Sequence, residues 1–251
     1  MEAAPVVRAV VRAVVAAARD VGRLVLPVEC PGCGRPDEPL CAACSGLLAG
    51  PPSRCESAIP RLDRVDLAGP PPVWALVAYA GPVRGLVVAW KDRGRADLTS
   101  TLVAAMERTG RDLGPALGEV AAWGGLAVVP VPTTARARRR RGADLVRLLA
   151  DGLARGLRDA GVAADVAPVL RRRRRRDQVG LGARSRARNA AGSVTVRPSG
   201  GVRRVVLLVD DVVTTGSTLA ACRAALERAG ALVVGAVVLA ATPAPGERRV
   251  G

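Results

Sequence analysis

The stretch that decides the fold reads VLLVDDVVTTGST and runs from Val206 to Thr218. It opens with apolar residues only, continues with two adjacent acids, and closes in a turn of Thr, Gly and Ser. A bare apolar run of this kind predicts a strand that is buried on both faces of a sheet. A helical pattern follows up to Arg228 and stops before Gly230, so we expect a strand, a turn and a helix in direct succession.

The chemistry of this turn indicates a phosphate beside a sugar. Gly216 permits a tight turn and the close approach of a ligand to the backbone. The free N–H groups at the start of a helix favour a phosphate. Four hydroxyls can donate to the phosphate oxygens, those of Thr214, Thr215, Ser217 and Thr218. Asp210 and Asp211 are good acceptors for sugar hydroxyls and can help to hold a hard divalent cation. The alternative, in which the acids merely cap the turn, explains only one of them.

Apolar runs and helical patterns alternate over most of the remaining chain. The apolar runs predict strands at Val73–Tyr79, Leu126–Val131, Val162–Leu170, Val205–Val209 and Leu232–Leu239. Helical spacing occupies Arg95–Arg108 and Ala143–Arg158. Together they predict an α/β fold in which a parallel sheet is flanked by helices. Ligands of such sheets bind at the carboxyl ends of the strands, where the two acids lie.

Four cysteines near the N-terminus form two Cys-x-x-Cys pairs, Cys30 with Cys33 and Cys41 with Cys44. Four thiolates at this spacing suit a tetrahedral zinc ion. Because four sulfur ligands leave no open position for catalysis, we expect a structural zinc knuckle. Redox-active thiols are the alternative. Cys55 and Cys222 do not fit the spacing, and we expect Cys222 to be a small buried core residue.

The chain divides at a proline-rich connector that ends at Gly69–Pro72. We expect a helix and the zinc-binding segment over residues 1–68, and the α/β domain over residues 69–251. The apolar run from Pro5 to Val28 carries four arginines on one stripe, which suits a helix docked on a domain and argues against a signal peptide. The run Ala231–Ala241 is too short to cross a bilayer, so we expect a cytoplasmic protein without a membrane span.

The composition favours phosphate-rich partners and excludes histidine chemistry. The formal net charge is +16, an excess that attracts nucleic acid, phosphorylated metabolites or an acidic membrane surface. No histidine is present, which excludes Ser-His-Asp and Cys-His catalysis and any histidine metal ligand. Lys91 is the only lysine, and it is either a ligand-facing residue in the cleft or an ordinary surface lysine.

Two arginine runs follow the predicted strands. Arg136–Arg141 contains five arginines and Arg171–Arg176 contains six. A stretch rich in Gly, Arg and Ser continues from the second run to Asn189, which is typical of a mobile loop. The runs can neutralise pyrophosphate or contact a nucleic-acid backbone; the alternative is a solvated basic face.

These motifs together resemble the ComF/ComFC family, which is named for a role in DNA uptake during natural competence. The resemblance covers nearly the full length of the chain. Besides the cysteine pairs and the run Asp210–Thr218, it rests on WKDRG from Trp90, VPVP from Val129, Arg141-Gly142, Gln178 and Arg188-Asn189. In the family, Arg-Gly is usually followed by Phe-Asn-Gln; here Ala143-Asp144 follows, so contact with a second substrate is not carried over.

The resemblance implies a type I phosphoribosyltransferase-like sheet whose ligand is phosphoribosyl pyrophosphate (PRPP), bound with Mg²⁺. By position, Asp210 and Asp211 contact the ribose and are the catalytic residues of any transferase. Thr214–Thr218 cradles the 5′-phosphate, and Pro132, Thr133 and Thr134 form the loop on the pyrophosphate side. The family also implies single-stranded DNA and a helicase-like competence protein as partners.

Three functions remain open at this stage. The first is a transferase that moves the phosphoribosyl group from PRPP to an acceptor, which the complete acid and Thr/Gly run favours. The second is a non-catalytic accessory protein that binds single-stranded DNA, which the knuckle and the arginine runs favour. The third is a regulator that senses PRPP without turning it over.

Overall fold

The computed structural model describes residues 28–60, 62, 70–122, 124–172, 194–197 and 205–243. Eight strands are present in this part of the chain: β1 Ser53–Arg54, β2 Val73–Ala78, β3 Leu126–Pro130, β4 Ala164–Val166, β5 Leu170–Arg172, β6 Val194–Val196, β7 Val205–Val213 and β8 Leu232–Ala241. Six α-helices accompany them: α1 Ala42–Gly46, α2 Gly81–Asp92, α3 Thr99–Ala121, α4 Ala135–Arg141, α5 Leu145–Asp159 and α6 Ser217–Arg228. The predicted N-terminal helix lies outside the described residues.

The main sheet has six strands in the order β1-β2-β8-β7-β3-β4. All of its pairings are parallel except that of β1 with β2. The central strands β7, β8 and β3 are buried almost throughout, which explains why their sequences are continuously apolar rather than alternating. The expected α/β fold, a mostly parallel sheet flanked by helices, is therefore confirmed.

Strand β7 continues past the point at which the sequence predicts its end. Asp210 pairs with Val238 and Val212 with Ala240, because β8 extends alongside as far as Ala241. On the other side, β3 ends at Pro130, and the last backbone hydrogen bond there runs from Val131 N to the Val209 carbonyl at 2.8 Å. The two acids therefore lie on a strand that has lost one neighbour, beside an open gap.

Two other segments differ from the prediction. The single strand expected at Val162–Leu170 is two short strands, β4 beside β3 and β5 in an antiparallel pair with β6. Pro168 lies between them and has no N–H to donate to a ladder, which explains the break. The helix expected at Arg95–Arg108 instead continues to Ala121, and α2 was not predicted at all.

Helices α3 and α5 cover one face of the sheet and approach each other closely. A Cβ at Gly156 would collide with the Glu107 carbonyl oxygen, and one at Gly110 with that of Leu153. Glycines at these positions thus allow backbone-to-backbone packing of the two helices. Helix α6 packs on the opposite face of the sheet, where its apolar side chains belong to a second cluster of buried residues.

The cysteine-bearing segment packs directly on α2 and α3. Cys30, Cys41, Cys44 and Leu48 belong to the same buried cluster as Leu86 and Leu102. A Cβ at Gly85 of α2 would collide with the Pro31 carbonyl oxygen, and Arg95 donates 2.7 Å to the Pro39 carbonyl. The division into residues 1–68 and 69–251 stays a prediction. None of the helices in the described part of the chain has the length and apolar content that a bilayer crossing requires.

Candidate functional site

The most distinctive contact of the site joins Lys91, in the last turn of α2, to Asp211 on β7. The ammonium Nζ donates to Asp211 Oδ1 at 2.9 Å and lies 2.8 Å from Oδ2. The backbone N–H of Val212 also donates to Oδ1, at 2.7 Å. The Lys91 side chain is 24% exposed and that of Asp211 only 9%. This pair is therefore shielded from solvent far more than an ordinary surface salt bridge.

Arg141 holds the Lys91 backbone in place. Its Nε donates to the Lys91 carbonyl at 2.6 Å, and one of its terminal nitrogens lies 3.3 Å from Asp92 Oδ1. The Arg141 side chain is mostly buried. The end of α2 is thus tied to the end of α4, and Lys91 projects from a fixed point.

The surroundings of the second acid of the pair, Asp210, favour its protonated form. Desolvation of its carboxyl group, with a further contribution from the neighbouring Asp211 charge, raises the pKa of Asp210 to about 8. The Asp211 backbone N–H, at 2.8 Å from Asp210 Oδ1, and the charges of Lys91 and Arg172 act in the opposite direction. The surroundings of the two adjacent acids therefore differ, since among the described residues only Asp211 is directly bonded to a cation.

The loop after β3 lies opposite the acids. Thr134 caps α4, since its side chain accepts from the Ala137 N–H at 3.1 Å. Thr133 Oγ1 is buried and has no hydrogen-bond partner within the described part of the chain. A buried hydroxyl without a partner is costly, so this atom is available to a ligand in the cavity.

The turn after β7 has the predicted left-handed glycine. Gly216 has φ +76° and precedes α6, and the Thr215 and Ser217 hydroxyls lie 2.7 Å apart. However, a Cβ on Gly216 would collide with Ile59 and approach Leu62, both buried. The side of Gly216 on which a Cβ would lie is therefore filled by the protein, and the close approach of a ligand to its backbone stays a prediction.

A cavity of about 340 Å³ joins these elements at the carboxyl edge of the sheet. Of the predicted site residues, seven line it: Lys91, Pro132, Thr133, Thr134, Asp210, Asp211 and Thr218. Four others lie in the adjoining turn without lining the cavity: Thr214, Thr215, Gly216 and Ser217. The volume is at the lower end of the range for small-ligand sites.

Two cations line the cavity that the sequence analysis considered only as members of the arginine runs and did not single out, Arg141 and Arg172. Both belong to the arginine runs, and a run of identical residues does not indicate which of its members faces the cavity. For Arg141 the sequence offered one indication of its position: Gly142 follows it and ends α4, with φ +71°. Arg172 lies on β5, whereas residues 173–176, Gln178 and the predicted mobile loop to Asn189 are outside the described residues.

The first arginine run forms α4, whose C-terminal end borders the cavity. Arg140 and Arg141 contact Asp92, and Arg138 donates to the Thr133 carbonyl at 3.2 Å. Among the described residues, no ion-pair partner is found for Arg136 or Arg139, both of which are exposed. The outer face of α4 therefore presents free positive charge beside the cavity.

The four predicted cysteine ligands converge. Their Sγ atoms all lie within 4.8 Å of one another, with Cys30 and Cys41 3.7 Å apart and Cys33 and Cys41 3.5 Å apart. A tetrahedral zinc ion with bonds of about 2.3 Å needs sulfur separations of roughly 3.8 Å, so the cluster fits. A Cβ on Gly32 would lie 2.7 Å from Cys44 Sγ, which explains the glycine there. The cluster can hold a metal ion, and Cys55 and Cys222 take no part in it.

The acid pair, by contrast, does not offer a cation site of the expected kind. Both oxygens of Asp211 are already contacted by the Lys91 ammonium. Within the described ranges, the four cysteines are the only group of three or more potential metal ligands. The residues present therefore do not fit a divalent cation on Asp211.

Comparisons with known proteins agree with this geometry. The phosphoribosyl transferase domain family matches residues 141–250, which include β7, the acids and the turn. DNA utilization protein YhgH of Salmonella typhi is 34% identical over 207 residues, which cover 78% of this chain and 81% of that protein. The crystal structure of orotate phosphoribosyltransferase from Aeropyrum pernix shares 21% identity over 64% of this chain and 66% of that one, with a TM-score of 0.32, too low to support an argument.

Proposed function

This chain belongs to the ComF/ComFC family, and from that premise we propose that its cavity binds PRPP as a phosphoribosyltransferase-like protein with a competence-type role in the use of DNA. The relative that carries the family assignment is described as a DNA utilization protein. The observation that carries the proposal is the convergence of Lys91, Pro132–Thr134 and Asp210–Asp211 on one cavity from three separate elements.

The sugar and its 5′-phosphate belong at the β7 end of the cavity. The two acids accept hydrogen bonds from the ribose hydroxyls, and the Thr214–Thr218 turn receives the 5′-phosphate on its hydroxyls and on the first N–H groups of α6. The fixed left-handed turn at Gly216, supported from behind by Ile59, keeps those donors in place without reorganisation.

The pyrophosphate belongs on the opposite wall. The Thr133 hydroxyl, which lacks a partner among the described residues, and Arg141 line that side, and Arg172 adds a further positive charge to the cavity. Arginine binds phosphate oxygens through paired N–H donors. Any Mg²⁺ that accompanies PRPP would come with the pyrophosphate, since Asp211 already has a cation.

A transfer at this site would replace one bond at the anomeric carbon by another. The acceptor's electron pair forms the new bond to C1 and the C1–O bond to pyrophosphate breaks. Pyrophosphate leaves with the electron pair of the broken bond, and the acceptor's proton passes to water. The protein contributes orientation and positive charge beside the leaving group rather than a nucleophile of its own.

Calorimetry with PRPP and Mg²⁺ tests the cavity. We expect the wild type to bind PRPP and the double variant Asp210→Asn/Asp211→Asn to bind it at least about tenfold more weakly, a loss of about 1.4 kcal/mol. Asp112→Asn, on an exposed position of α3 away from the cavity, is the matched control and should bind like the wild type. Equal PRPP binding by the wild type and the double variant would refute the assignment.

Turnover is a separate question from binding. Release of pyrophosphate from PRPP in the presence of a panel of nucleobases and amines would support the transferase. PRPP binding without release, coupled to a change in affinity for DNA or a partner, would support the sensing regulator.

A non-catalytic role in binding single-stranded DNA, with a helicase-like partner, is the alternative. The free arginines on the outer face of α4 favour contact with a phosphate backbone, whereas a formed ligand cavity beside them favours the transferase-like function. Salt-dependent binding of a single strand, reduced when Arg136 and Arg139 are both replaced by Gln, would support the accessory role. We also propose zinc as the metal of the knuckle and the cytoplasm as the location.

A further inference from the structure

We propose that Lys91 takes the place of a divalent cation at the acid pair, so that Asp211 carries no metal either in the empty cavity or in the cavity with a sugar phosphate bound. The identity of the ligand in this inference rests on the proposed function, whereas the statement about the metal depends only on Asp211 and Lys91.

The ammonium group already satisfies the carboxylate. Nζ lies 2.9 Å from Oδ1 and 2.8 Å from Oδ2, distances typical of charge-assisted hydrogen bonds. The Val212 N–H adds a third donor on Oδ1. A Mg²⁺ ion needs oxygen ligands at about 2.0–2.1 Å in octahedral geometry, and it would have to displace the ammonium to reach either oxygen.

The backbone of Lys91 is anchored. Its carbonyl is held by Arg141, and it belongs to the last turn of α2, whose Gly85 packs against the knuckle at Pro31. Its side chain is largely shielded from water, where the attraction between opposite charges is stronger than in bulk solvent. A second cation beside this ammonium would also be repelled by it.

The choice of lysine fits this role. Among 38 basic residues, lysine occurs once, at this position. An ammonium is a compact charge with three donors, whereas a guanidinium is a planar fork. At most two of these donors face the two Asp211 oxygens, which leaves at least one N–H for an anionic oxygen of the ligand. Lys91 thus acts as a residue that determines metal selectivity at the acid pair.

The test is Mn²⁺ binding by the full-length protein loaded with zinc, followed by electron paramagnetic resonance. We expect the wild type and Asp211→Asn to bind Mn²⁺ equally weakly. Lys91→Met, which removes the charge but keeps the chain length, should bind one Mn²⁺ at least about tenfold more tightly than the wild type. That gain should disappear in Lys91→Met/Asp211→Asn.

Arg93→Met is the matched control, because it removes one positive charge from an exposed position two residues away and outside the cavity lining. Its Mn²⁺ affinity should stay at the wild-type value. Two results would overturn the inference: wild-type Mn²⁺ binding that is lost in Asp211→Asn, or no gain in a folded Lys91→Met. The comparison of Mn²⁺ binding by the wild type and by Asp211→Asn tests the inference even if Lys91→Met fails to fold.

A second measurement uses ribose 5-phosphate as the ligand. The wild type should bind it with the same affinity in buffer without added divalent cation as in Mn²⁺, whereas Lys91→Met should require the added metal. If ribose 5-phosphate and PRPP do not bind the wild type at all, the proposed function fails. The Mn²⁺ comparison on the empty cavity does not depend on that outcome.

Discussion

Asp210 and Asp211 are neighbours in sequence, yet their carboxyl groups lie in very different surroundings. Asp211 has a lysine on both oxygens, while Asp210 has desolvated surroundings and the charge of its neighbour. Desolvation and the neighbouring charge therefore disfavour ionisation of Asp210. The cavity presents to a sugar one carboxyl group that is bonded to Lys91 and one that is not.

The raised pKa of Asp210 makes folding stability depend on pH. The unfolded chain loses this proton near pH 4 and the folded chain near pH 8, so the folded state becomes less stable as pH rises between these values. The slope for one group is at most about 1.4 kcal/mol per pH unit. We expect Asp210→Asn to remove this loss, so that its stability relative to the wild type, measured by urea unfolding, rises from pH 4 to pH 8. A constant difference between the two proteins would contradict the assignment.

Gly216 is the second residue with a specific prediction. Gly216→Ala introduces both an unfavourable positive φ and a collision with Ile59. Gly230 has a similar φ of +84°, but a Cβ there meets nothing within 4 Å, so Gly230→Ala measures the backbone cost alone. We expect Gly216→Ala to be more destabilising than Gly230→Ala by about 1–3 kcal/mol in urea unfolding.

Coupling to Ile59 identifies the cause. Ile59→Ala should cost less stability in the Gly216→Ala background than in the wild type, because it relieves the collision. Additive effects of the two changes would show that Ile59 does not support the turn.

At the level of elements, α2 connects the knuckle to the cavity. Its first half packs on the Pro31 loop, and its last turn supplies Lys91 to Asp211. Strand β3 matters just as much, because its end at Pro130 opens the gap beside the acids. The site is thus formed at the ends of several helices and strands rather than by one motif.

The packing of α3 on α5 gives a prediction with an internal control. Gly156→Ala would drive a methyl group into the Glu107 carbonyl oxygen, whereas Gly118→Ala on α3 meets only Val162 Cγ2 at 4.0 Å. We expect Gly156→Ala to destabilise the protein by about 1–3 kcal/mol. Gly118→Ala should be neutral or stabilise it by about 0.5–1 kcal/mol, since alanine is the better helix former. Equal effects in urea unfolding would contradict the close approach of the helices.

At the level of the whole molecule, the knuckle shares a buried cluster with α2 and α3 instead of standing apart. Its cysteines therefore contribute to the same cooperative structure as the sheet. Positive charge is concentrated beside the cavity, on α4 and at Arg172, which favours an anionic ligand reaching the carboxyl edge of the sheet.

Metal removal should consequently lower the stability of the entire described domain. A site that holds zinc at a free concentration 1,000 times its dissociation constant adds about 4.1 kcal/mol to the free energy of unfolding. We expect one zinc per chain by elemental analysis and a single thermal transition that shifts downward in a strong chelator. Cys30→Ser/Cys33→Ser should reproduce the shift, and the control Cys55→Ser should not. Retention of the wild-type midpoint without metal would contradict a structural role.

Much of the molecule could be predicted from local patterns. The bare apolar run before Asp210 indicates a buried parallel strand, and the turn to Ser217 indicates a helix start, because both depend on neighbours a few residues apart. The two Cys-x-x-Cys pairs likewise identify a metal cluster from spacing alone. The predicted strand at Val162–Leu170 was wrong because periodicity did not weigh the missing N–H of Pro168.

The amino-acid sequence by itself determined the α/β class, the strand with its acids and turn, and the four-cysteine cluster, since each is encoded by short-range periodicity and spacing. Only the tertiary structure decided that Lys91 meets Asp211 across 120 positions of the chain, that Ile59 fills the space beside Gly216, and that Arg141 and Arg172 face the cavity. Such contacts depend on where β3 stops and how α2 docks on the knuckle. Those outcomes follow from packing between distant segments, which no local pattern records.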